Sequence, residues 1–321
     1  MLTKVEDPGA AVTAATARWD TMLRKVVAPD ALPTTGPAAA GNDDGTVVAT
    51  IEAIPKSEKF LRPNGEEYVA RWMTIGGTAT QDVAFIRATY DERMPTLLYG
   101  DPGTGKTALV EASFDEILTI QGTIETETAD FVGSWTQQPD GTYRWVDGPL
   151  VVAGLRGIPL LIDEIALIDP RVMAVVYGVM DGRDEIVVTA NPERGAIKVN
   201  DGFVVYGACN PNVPGAVMSD ALISRFPIHL EVTTDWDLAR KLGVPKQIIQ
   251  VTRNLNLKMK EGQMIAAPQL RELLAFKNVE AKFGTDLALK NFYNTIRPED
   301  KQIAATVIES VFGAKPTGLV L

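Results

Sequence analysis

The feature that most constrains this chain is a glycine-rich stretch at residues 100–107, with the sequence GDPGTGKT. It follows a short apolar run at 97–99 and precedes a helical pattern that begins near Ala108. Glycines permit the tight turns that let successive backbone N–H groups approach a phosphate closely. An apolar strand, a GxxxxGK[ST] loop and a helix in this order predict a phosphate-binding loop.

The polar residues of this phosphate loop have separate expected roles. Lys106 can reach the β- and γ-phosphates of a nucleotide as a point charge, and the Thr107 hydroxyl can ligate Mg²⁺. A chance match is the alternative, and average composition produces one in on the order of 1% of chains of this length. The nucleotide-binding residues predicted here are Gly100, Asp101, Pro102, Gly103, Thr104, Gly105, Lys106, Thr107 and Ala108.

Composition bounds the classes of protein that remain. A chain of 321 residues is long enough for about two domains. The formal net charge of -10 disfavours a protein that binds nucleic acid or anionic membranes non-specifically. No stretch of about 18 residues lacks charges or helix breakers, so we expect no membrane span. The N-terminus has no signal-peptide pattern. The expected localisation is cytoplasmic.

The chain has one cysteine and one histidine. A lone cysteine allows no internal disulfide, which suits a reducing cytoplasm. Cys209 and His229 each lie in an apolar run. We therefore expect both in the core, rather than as a nucleophile and a zinc ligand.

The order of apolar runs indicates an α/β fold. Runs at 97–99, 158–162, 203–209 and 228–232 alternate with helical or hairpin segments. Such alternation is typical of a mostly parallel sheet that binds nucleotide at the carboxyl ends of its strands. The predicted fold is a P-loop NTPase parallel sheet flanked by helices, followed by a small all-helical lid subdomain, with a short N-terminal β element.

Changes in composition divide the chain into four segments. Residues 28–45 are rich in Pro, Ala, Thr, Gly and Asp, which indicates a flexible linker. Two strand patterns, at 46–54 and 67–73, flank a turn signal at 62–65. The predicted segments are 1–45, an N-terminal helix (14–27) with the linker; 46–79, the β element; 80–232, the nucleotide-binding domain, which opens with a helix at 80–93; and 233–321, the helical lid domain.

Two acidic residues follow the apolar run at 158–162. Downstream of a phosphate loop, Asp163 is expected to orient the Mg²⁺ shell and Glu164 to polarise the attacking water. The next acidic signal, Asp169 followed by proline, predicts the N-cap of a helix.

Two further polar residues follow later runs. Asn210 ends the run at 203–209, where a strand-end amide can hold a water against a γ-phosphate; a simple Asx turn is the alternative. Arg225 ends a short helical pattern, and an arginine there can neutralise transition-state charge. A lone arginine is otherwise a surface residue.

Four segments occur in a fixed order, at residues 100–107, 160–164, 207–211 and 221–226. In this order they resemble the AAA+ ATPases, and specifically their MoxR-like, dynein-related branch, over residues 80–283. The resemblance implies a ring, usually a hexamer, with ATP between subunits. It implies that Asn210 is similar to sensor 1 and Arg225 to the arginine finger acting on the neighbouring subunit.

The resemblance also implies a sensor 2 residue, Arg271, that contacts phosphate from the helical lid. Many members place a small hydroxyl residue and proline directly before that arginine, whereas here Gln269 and Leu270 follow Pro268.

Two inserted hairpins fit the same branch. Residues 131–135 and 142–146, joined by a Pro-Asp-Gly turn, resemble its helix-2 insert. Residues 184–188 and 196–199 resemble its pre-sensor-1 hairpin. Trp135 and Trp145 of the first hairpin either pack on the ATPase core or serve a nucleotide-driven lever.

The resemblance favours an ATP-driven remodelling or chaperone-like ring that acts on a protein client, possible partners including a von Willebrand factor A domain protein. A nucleic-acid-directed motor or restriction-system NTPase is the alternative, which the net charge disfavours. A third hypothesis is a nucleotide-gated switch with negligible turnover, which Glu164, Asn210 and Arg225 disfavour.

Overall fold

The computed structural model describes residues 58–75, 78–211, 213 and 215–320, with Thr78 described by its backbone alone. The predicted N-terminal helix, the linker and the strand at 46–54 lie outside the described residues. Two compact units are present: one holds the described residues up to Leu97 together with Leu109–His229, and the other holds Leu98–Ala108 and the described residues from Leu230 onward. No helix in these described ranges is long and apolar enough to cross a membrane.

A five-stranded parallel sheet forms the centre of the α/β fold, which confirms the predicted fold class. β9 (Leu160–Asp163) and β12 (Val205–Cys209) pair in parallel with Gly207 opposite Ile162, and their apolar side chains are buried. Strands covered on both faces are apolar at successive positions, which is why the sequence shows them as continuous runs. The strands, numbered along the chain, lie in the order β13 (Ile228–Glu231), β5 (Thr96–Tyr99), β12 (Val205–Cys209), β9 (Leu160–Asp163) and β6 (Leu118–Gln121).

Helices flank this sheet. α1 begins at Asp82, two residues later than the pattern predicts, because Thr80 and Gln81 belong to a strand. Asp169 caps α5 as predicted, and its carboxylate accepts the backbone N–H of Arg171 at 2.8 Å. The bounds are α1 (Asp82–Asp91), α2 (Lys106–Ala112), α3 (Thr128–Val132), α4 (Pro149–Arg156), α5 (Pro170–Met173), α6 (Tyr177–Met180) and α7 (Asp220–Ile223).

The β element before the sheet consists of two antiparallel pairs. The turn at 62–65 lies where the sequence predicts it, and it joins β1 (Lys59–Leu61) to β2 (Glu67–Val69). The predicted strand at 67–73 is interrupted, since β3 (Trp72–Ile75) pairs instead with β4 (Thr78–Gln81).

The interruption coincides with a buried carboxylate, Asp82. Its oxygens accept hydrogen bonds from the Tyr68 hydroxyl and from the backbone N–H of Arg71, the latter at 3.0 Å. Burial raises the pKa of Asp82. A buried carboxylate with several donors holds the chain at the break between β2 and β3.

Both inserted hairpins are present with shifted bounds. The first pairs β7 (Gly133–Gln137) with β8 (Tyr143–Asp147), so Phe131 belongs to α3 and not to the predicted strand. Its side chain is fully buried, which suits a helix packed on the core. The second pairs β10 (Glu185–Val187) with β11 (Ala196–Lys198).

The second unit is helical beyond β13, as predicted. Its lid helix α10 starts after Gln269, and α12 starts after a short 3₁₀ turn at Pro298–Asp300. Gly284, at φ 85°, separates α10 from α11 because an L-residue with a side chain rarely adopts that backbone angle. The helices are α8 (Trp236–Lys241), α9 (Lys246–Lys260), α10 (Leu270–Phe283), α11 (Thr285–Asn294) and α12 (Lys301–Phe312).

Candidate nucleotide-binding site

The phosphate loop lies in the second unit, between β5 and α2. Gly100, Gly103 and Gly105 have φ angles of 143°, 80° and 93°. A side chain at Gly103 would bring its Cβ within 2.9 Å of the Arg271 Cβ, and one at Gly100 would collide with the Val232 carbonyl oxygen. The three glycines are thus required by backbone angle and, at two positions, by space, as a phosphate-binding backbone demands.

The side chain of Lys106 turns back into the phosphate loop and contacts the backbone of that loop. Its side chain is buried, and Nζ donates to the carbonyl oxygens of Gly100 and Asp101, both at 3.0 Å. The Thr104 hydroxyl donates to the same Asp101 carbonyl at 2.9 Å. These contacts hold the ammonium group in the loop, where a bound polyphosphate would meet it, so the residues present fit a nucleotide.

The lid meets the loop within the same unit. The backbone N–H of Arg271 donates to the Gly103 carbonyl at 3.2 Å, and the Arg271 side chain is exposed. Gln269 donates from Nε2 to the Asp101 carboxylate at 3.1 Å. The structure therefore brings the predicted sensor 2 position beside the loop. The spacing of Gln269 from Glu272, which is that of a capping box, is the one sequence signal that marks Gln269.

The acidic pair lies in the first unit, at the carboxyl end of β9. Glu164 has φ 49° and ψ 37°, the left-handed region that residues other than glycine rarely occupy. The Asp163 carboxylate accepts the Glu164 backbone N–H at 2.9 Å. Backbone strain of this kind concentrates at functional positions.

The neighbouring strand β6 crowds the acidic pair. The Gly122 N–H donates to the Asp163 carbonyl at 2.8 Å. A Cβ at Gly122 would lie 2.8 Å from the carbonyl oxygens of both Asp163 and Glu164. Only glycine fits there without moving the acidic turn, and no local sequence pattern marks this glycine.

Asn210 lies at the same edge of the sheet as Asp163. From the register that sets Gly207 opposite Ile162, Asp163 lies one residue further on β9, and Asn210 lies three residues further along from Gly207. Asn210 is only 4% exposed. The structure thus places the predicted sensor 1 amide and the predicted metal-orienting carboxylate on adjacent parallel strands, at their carboxyl ends.

Arg225 is held by groups of its own chain. Its Nε lies 2.7 Å from one carboxylate oxygen of Asp181, and one of its terminal nitrogens donates to the other at 2.9 Å. The guanidinium also lies 4.0 Å from the ring centroid of Tyr177. Hydrogen bonding to Arg225 lowers the pKa of Asp181. One hydrogen bond and a close ion pair with Asp181, beside an aromatic ring, give the guanidinium a defined position, unlike that of a freely solvated surface arginine.

The predicted core position is confirmed for Cys209 but wrong for His229, because His229 lies on the edge strand β13, which is only partly covered. Cys209 is fully buried, whereas His229 is half-buried and its Nε2 lies 3.3 Å from the Ile223 carbonyl oxygen. Among the described residues, no group of three or more His, Cys, Asp or Glu side chains could hold a metal ion. Mg²⁺ at nucleotide sites needs only one or two protein ligands in addition to phosphate oxygens and water.

Comparison with known proteins matches the part of the chain that contains this geometry to a family model. Residues 95–226 match the family model described as AAA domain, dynein-related subfamily. Uncharacterized proteins of Staphylococcus aureus strains NCTC 8325 and COL are each 29% identical over 225 residues, which covers 64% of this chain and 84% of theirs. A crystal structure described as a presumed ATPase of Cytophaga hutchinsonii has a TM-score of 0.40 and 15% identity, and the match covers 74% of this chain and 89% of that one.

Proposed function

We propose, from the AAA domain at residues 95–226, that this chain hydrolyses ATP. The observation that carries the proposal is the phosphate loop, where three glycines at positive φ surround a buried lysine. Lys106 binds the β- and γ-phosphates, and Glu164 polarises the water that attacks the γ-phosphorus as ADP leaves. Asn210 orients that water.

Mg²⁺ would be held by Thr107 and Asp163 in this proposal. When bound, it neutralises charge on the β- and γ-phosphate oxygens. Arg271 would contact the phosphates from the lid. Its exposed side chain and its backbone contact with Gly103 support that role.

The finer proposal is a MoxR-like ring, a hexamer, in which Arg225 acts on the ATP of the neighbouring subunit. In the present conformation Arg225 is paired with Asp181 of its own chain. Action on a neighbour therefore requires the guanidinium to exchange this carboxylate for phosphate. Arginines supplied in this way accelerate phosphoryl transfer by roughly 10³-fold or more in other systems.

Complementation between two inactive variants tests this arrangement. Arg225→Ala subunits retain Lys106, and Lys106→Ala subunits retain Arg225, so each supplies what the other lacks. We expect each variant alone to be inactive and a mixture to recover part of the ATP turnover, measured by phosphate release. Turnover per wild-type subunit is also expected to rise with protein concentration, because the arginine acts only at an interface.

A matched control is Arg171→Ala, which removes an arginine that is 91% exposed and pairs with nearby Asp169. This variant should keep wild-type turnover. No recovery in mixtures with proven subunit exchange would contradict action of Arg225 on a neighbour. Turnover independent of concentration from a monomer would contradict the ring as well.

The partner in this proposal is a protein client that contacts the hairpin β7–β8. Trp135 and Tyr143 are 50% and 65% exposed, and they lie on one face of the ribbon with Trp145. The two tryptophan rings pack edge to face with centroids 5.7 Å apart. The cross-strand tryptophan pair stabilises the hairpin, and its exposed aromatic face suits contact with another protein.

The client proposal predicts a selective loss in a hairpin variant. With α-casein as an unfolded-protein probe, we expect casein to stimulate wild-type ATP turnover. The double variant Trp135→Ala/Tyr143→Ala should need about thirtyfold more casein, because a loss of about 1 kcal/mol at each of the two aromatic contacts corresponds to that factor. Basal turnover and the circular dichroism spectrum should remain those of the wild type.

Val187→Ala, on the other hairpin, is the matched control because Val187 is 56% exposed and apolar. Equal casein stimulation in the double variant would contradict the hairpin as the client surface. Stimulation by single-stranded DNA but not by casein would instead favour the nucleic-acid motor, which the net charge of -10 disfavours.

A further inference from the structure

The side-chain amide of Gln269 lies at the junction of the phosphate loop and the lid helices, within the second unit. It is 4% exposed. Its Oε1 accepts the Thr234 hydroxyl at 2.7 Å, and its Nε2 donates to Asp101 Oδ2 at 3.1 Å and to Asn256 Oδ1 at 2.9 Å. Ala267 offers a further carbonyl oxygen to Nε2 at 3.2 Å. One amide therefore joins the loop, the segment after β13 and helix α9.

The neighbours of Gln269 fix the orientation of its amide. The Asp101 carboxylate can only accept hydrogen bonds. Asn256 Nδ2 already donates to the carbonyl oxygens of Thr252 and Pro268, both at 2.9 Å, so Asn256 presents its oxygen to Gln269. The NH₂ group of Gln269 must therefore face both, and its oxygen faces the Thr234 hydroxyl, which can donate.

Asp101 connects this amide to the loop lysine. Its side chain is bound by Gln269, while its backbone carbonyl accepts Lys106 Nζ at 3.0 Å. Two residues after Gln269, the Arg271 N–H contacts the Gly103 carbonyl. The start of α10 thus contacts the loop at two points. One of these contacts, from Gln269, is to Asp101, the residue whose carbonyl oxygen binds Lys106.

We propose that Gln269 is a positioning residue that transmits the position of the lid to the phosphate loop through Asp101. The inference rests on the proposed nucleotide binding and deepens it. When α10 lies as described, the amide holds Asp101, and through it the carbonyl that binds Lys106. When α10 moves, the contact breaks and the loop loses that constraint. Part of the dependence of nucleotide affinity on lid position then passes through this one buried amide.

A double-mutant cycle between Gln269 and Asp101 tests the relay. Gln269→Glu sets a carboxylate against the Asp101 carboxylate, whereas Asp101→Asn keeps an oxygen that can accept from Gln269. In the combined variant the introduced asparagine amide can donate to the introduced glutamate carboxylate. The measurement is the Kd of fluorescent N-methylanthraniloyl-ADP, titrated directly, together with KM and kcat for ATP and the thermal midpoint without nucleotide.

We expect Gln269→Glu to weaken ADP binding at least tenfold, because a charge-assisted hydrogen bond is replaced by repulsion. Asp101→Asn alone should change Kd by about threefold or less, since a neutral bond remains. In the Asp101→Asn background the same Gln269→Glu change should cost at least about fivefold less than in the wild type. KM for ATP should follow Kd, while kcat changes less.

Gln263→Glu is the matched control, because it makes the same chemical change at an exposed position of the same unit. It should leave Kd unchanged. If Gln269→Glu fails to fold, Thr234→Val removes only the hydroxyl that orients the amide, and it should still raise the Kd for ADP. A shifted thermal midpoint with unchanged Kd and no coupling would overturn the inference alone, leaving ATP binding intact. Absence of ADP binding by the wild type would overturn the proposed function and the inference together.

Discussion

Replacement of Lys106 by alanine should reduce ATP turnover by at least about a hundredfold, the loss seen when a pre-positioned charge or donor is removed from a transition state. The ammonium group is buried and is held by two carbonyl oxygens of its own loop. Alanine would leave these carbonyl oxygens facing the nucleotide phosphates without the cation that lies between them. The measurement is phosphate release at saturating ATP, with nucleotide binding titrated in parallel.

Lys315→Ala provides the matched control, since Lys315 is an exposed lysine of the same unit. It should behave as the wild type does. Lys106→Arg should also fail, because a planar guanidinium cannot replace a compact ammonium group in a closed loop. Wild-type hydrolysis by Lys106→Ala would disprove the assignment of residues 100–107 as the nucleotide site.

Replacement of Glu164 by glutamine should separate binding from turnover. The amide keeps the shape of the side chain but is a poor base, so we expect kcat to fall by about 10²–10⁴-fold. ATP binding should persist, because the loop and Lys106 are untouched. Gln and Glu have similar backbone preferences, so the left-handed conformation at φ 49° gives no separate reason for misfolding.

Single-turnover assays with radiolabelled ATP, together with filter binding, would measure both quantities. Glu125→Gln, at an exposed position of the same unit, is the control and should leave kcat unchanged. A loss of ATP affinity equal to that of Lys106→Ala would remove the distinction between the two roles. A kcat of Glu164→Gln equal to that of the wild type would assign water activation to another group. If the wild type itself binds ATP tightly but does not hydrolyse it, the result would favour a nucleotide-gated switch.

The sequence predicted most of the sheet because its buried strands are continuous apolar runs. β6 was missed, since only Ile120 of its four residues is buried and so short an alternation carries little signal. Helix α3 was assigned to a strand because its buried Phe131 and Val132 directly precede β7. The local sequence pattern is compatible with Phe131 and Val132 in either a helix or a strand, so it could not assign them to α3 rather than to β7.

The candidate site was predictable where one short segment carries the chemistry, and not where distant segments meet. The phosphate loop and the Asp163–Glu164 pair are each contiguous. The contact of Gln269 with Asp101 joins positions 168 apart, and the pairing of Arg225 with Asp181 joins positions 44 apart. In both pairs, the sequence around one residue contains no pattern that predicts contact with the other. The roles assigned to the loop residues, to Asp163 and Glu164, and to Asn210, Arg225 and Arg271 all stay predictions.

The two inserted hairpins are tied to each other as well as to the sheet. Arg194, in the turn between β10 and β11, forms a bidentate pair with Asp147 at the base of β8, and Trp145 Nε1 donates to the same carboxylate at 2.8 Å. Burial alone would raise the pKa of Asp147, but these donors hold it below its ordinary value.

A force applied to the exposed aromatic face of the first hairpin would therefore be shared with the second. Asp147 is the last residue of β8. After the second hairpin, the next strand in the chain is β12, which Asn210 follows. The two ribbons would deflect as one stiff lever rather than as two independent flexible loops. Load on the outer face would thus have a short mechanical path to the strand that carries the water-orienting amide.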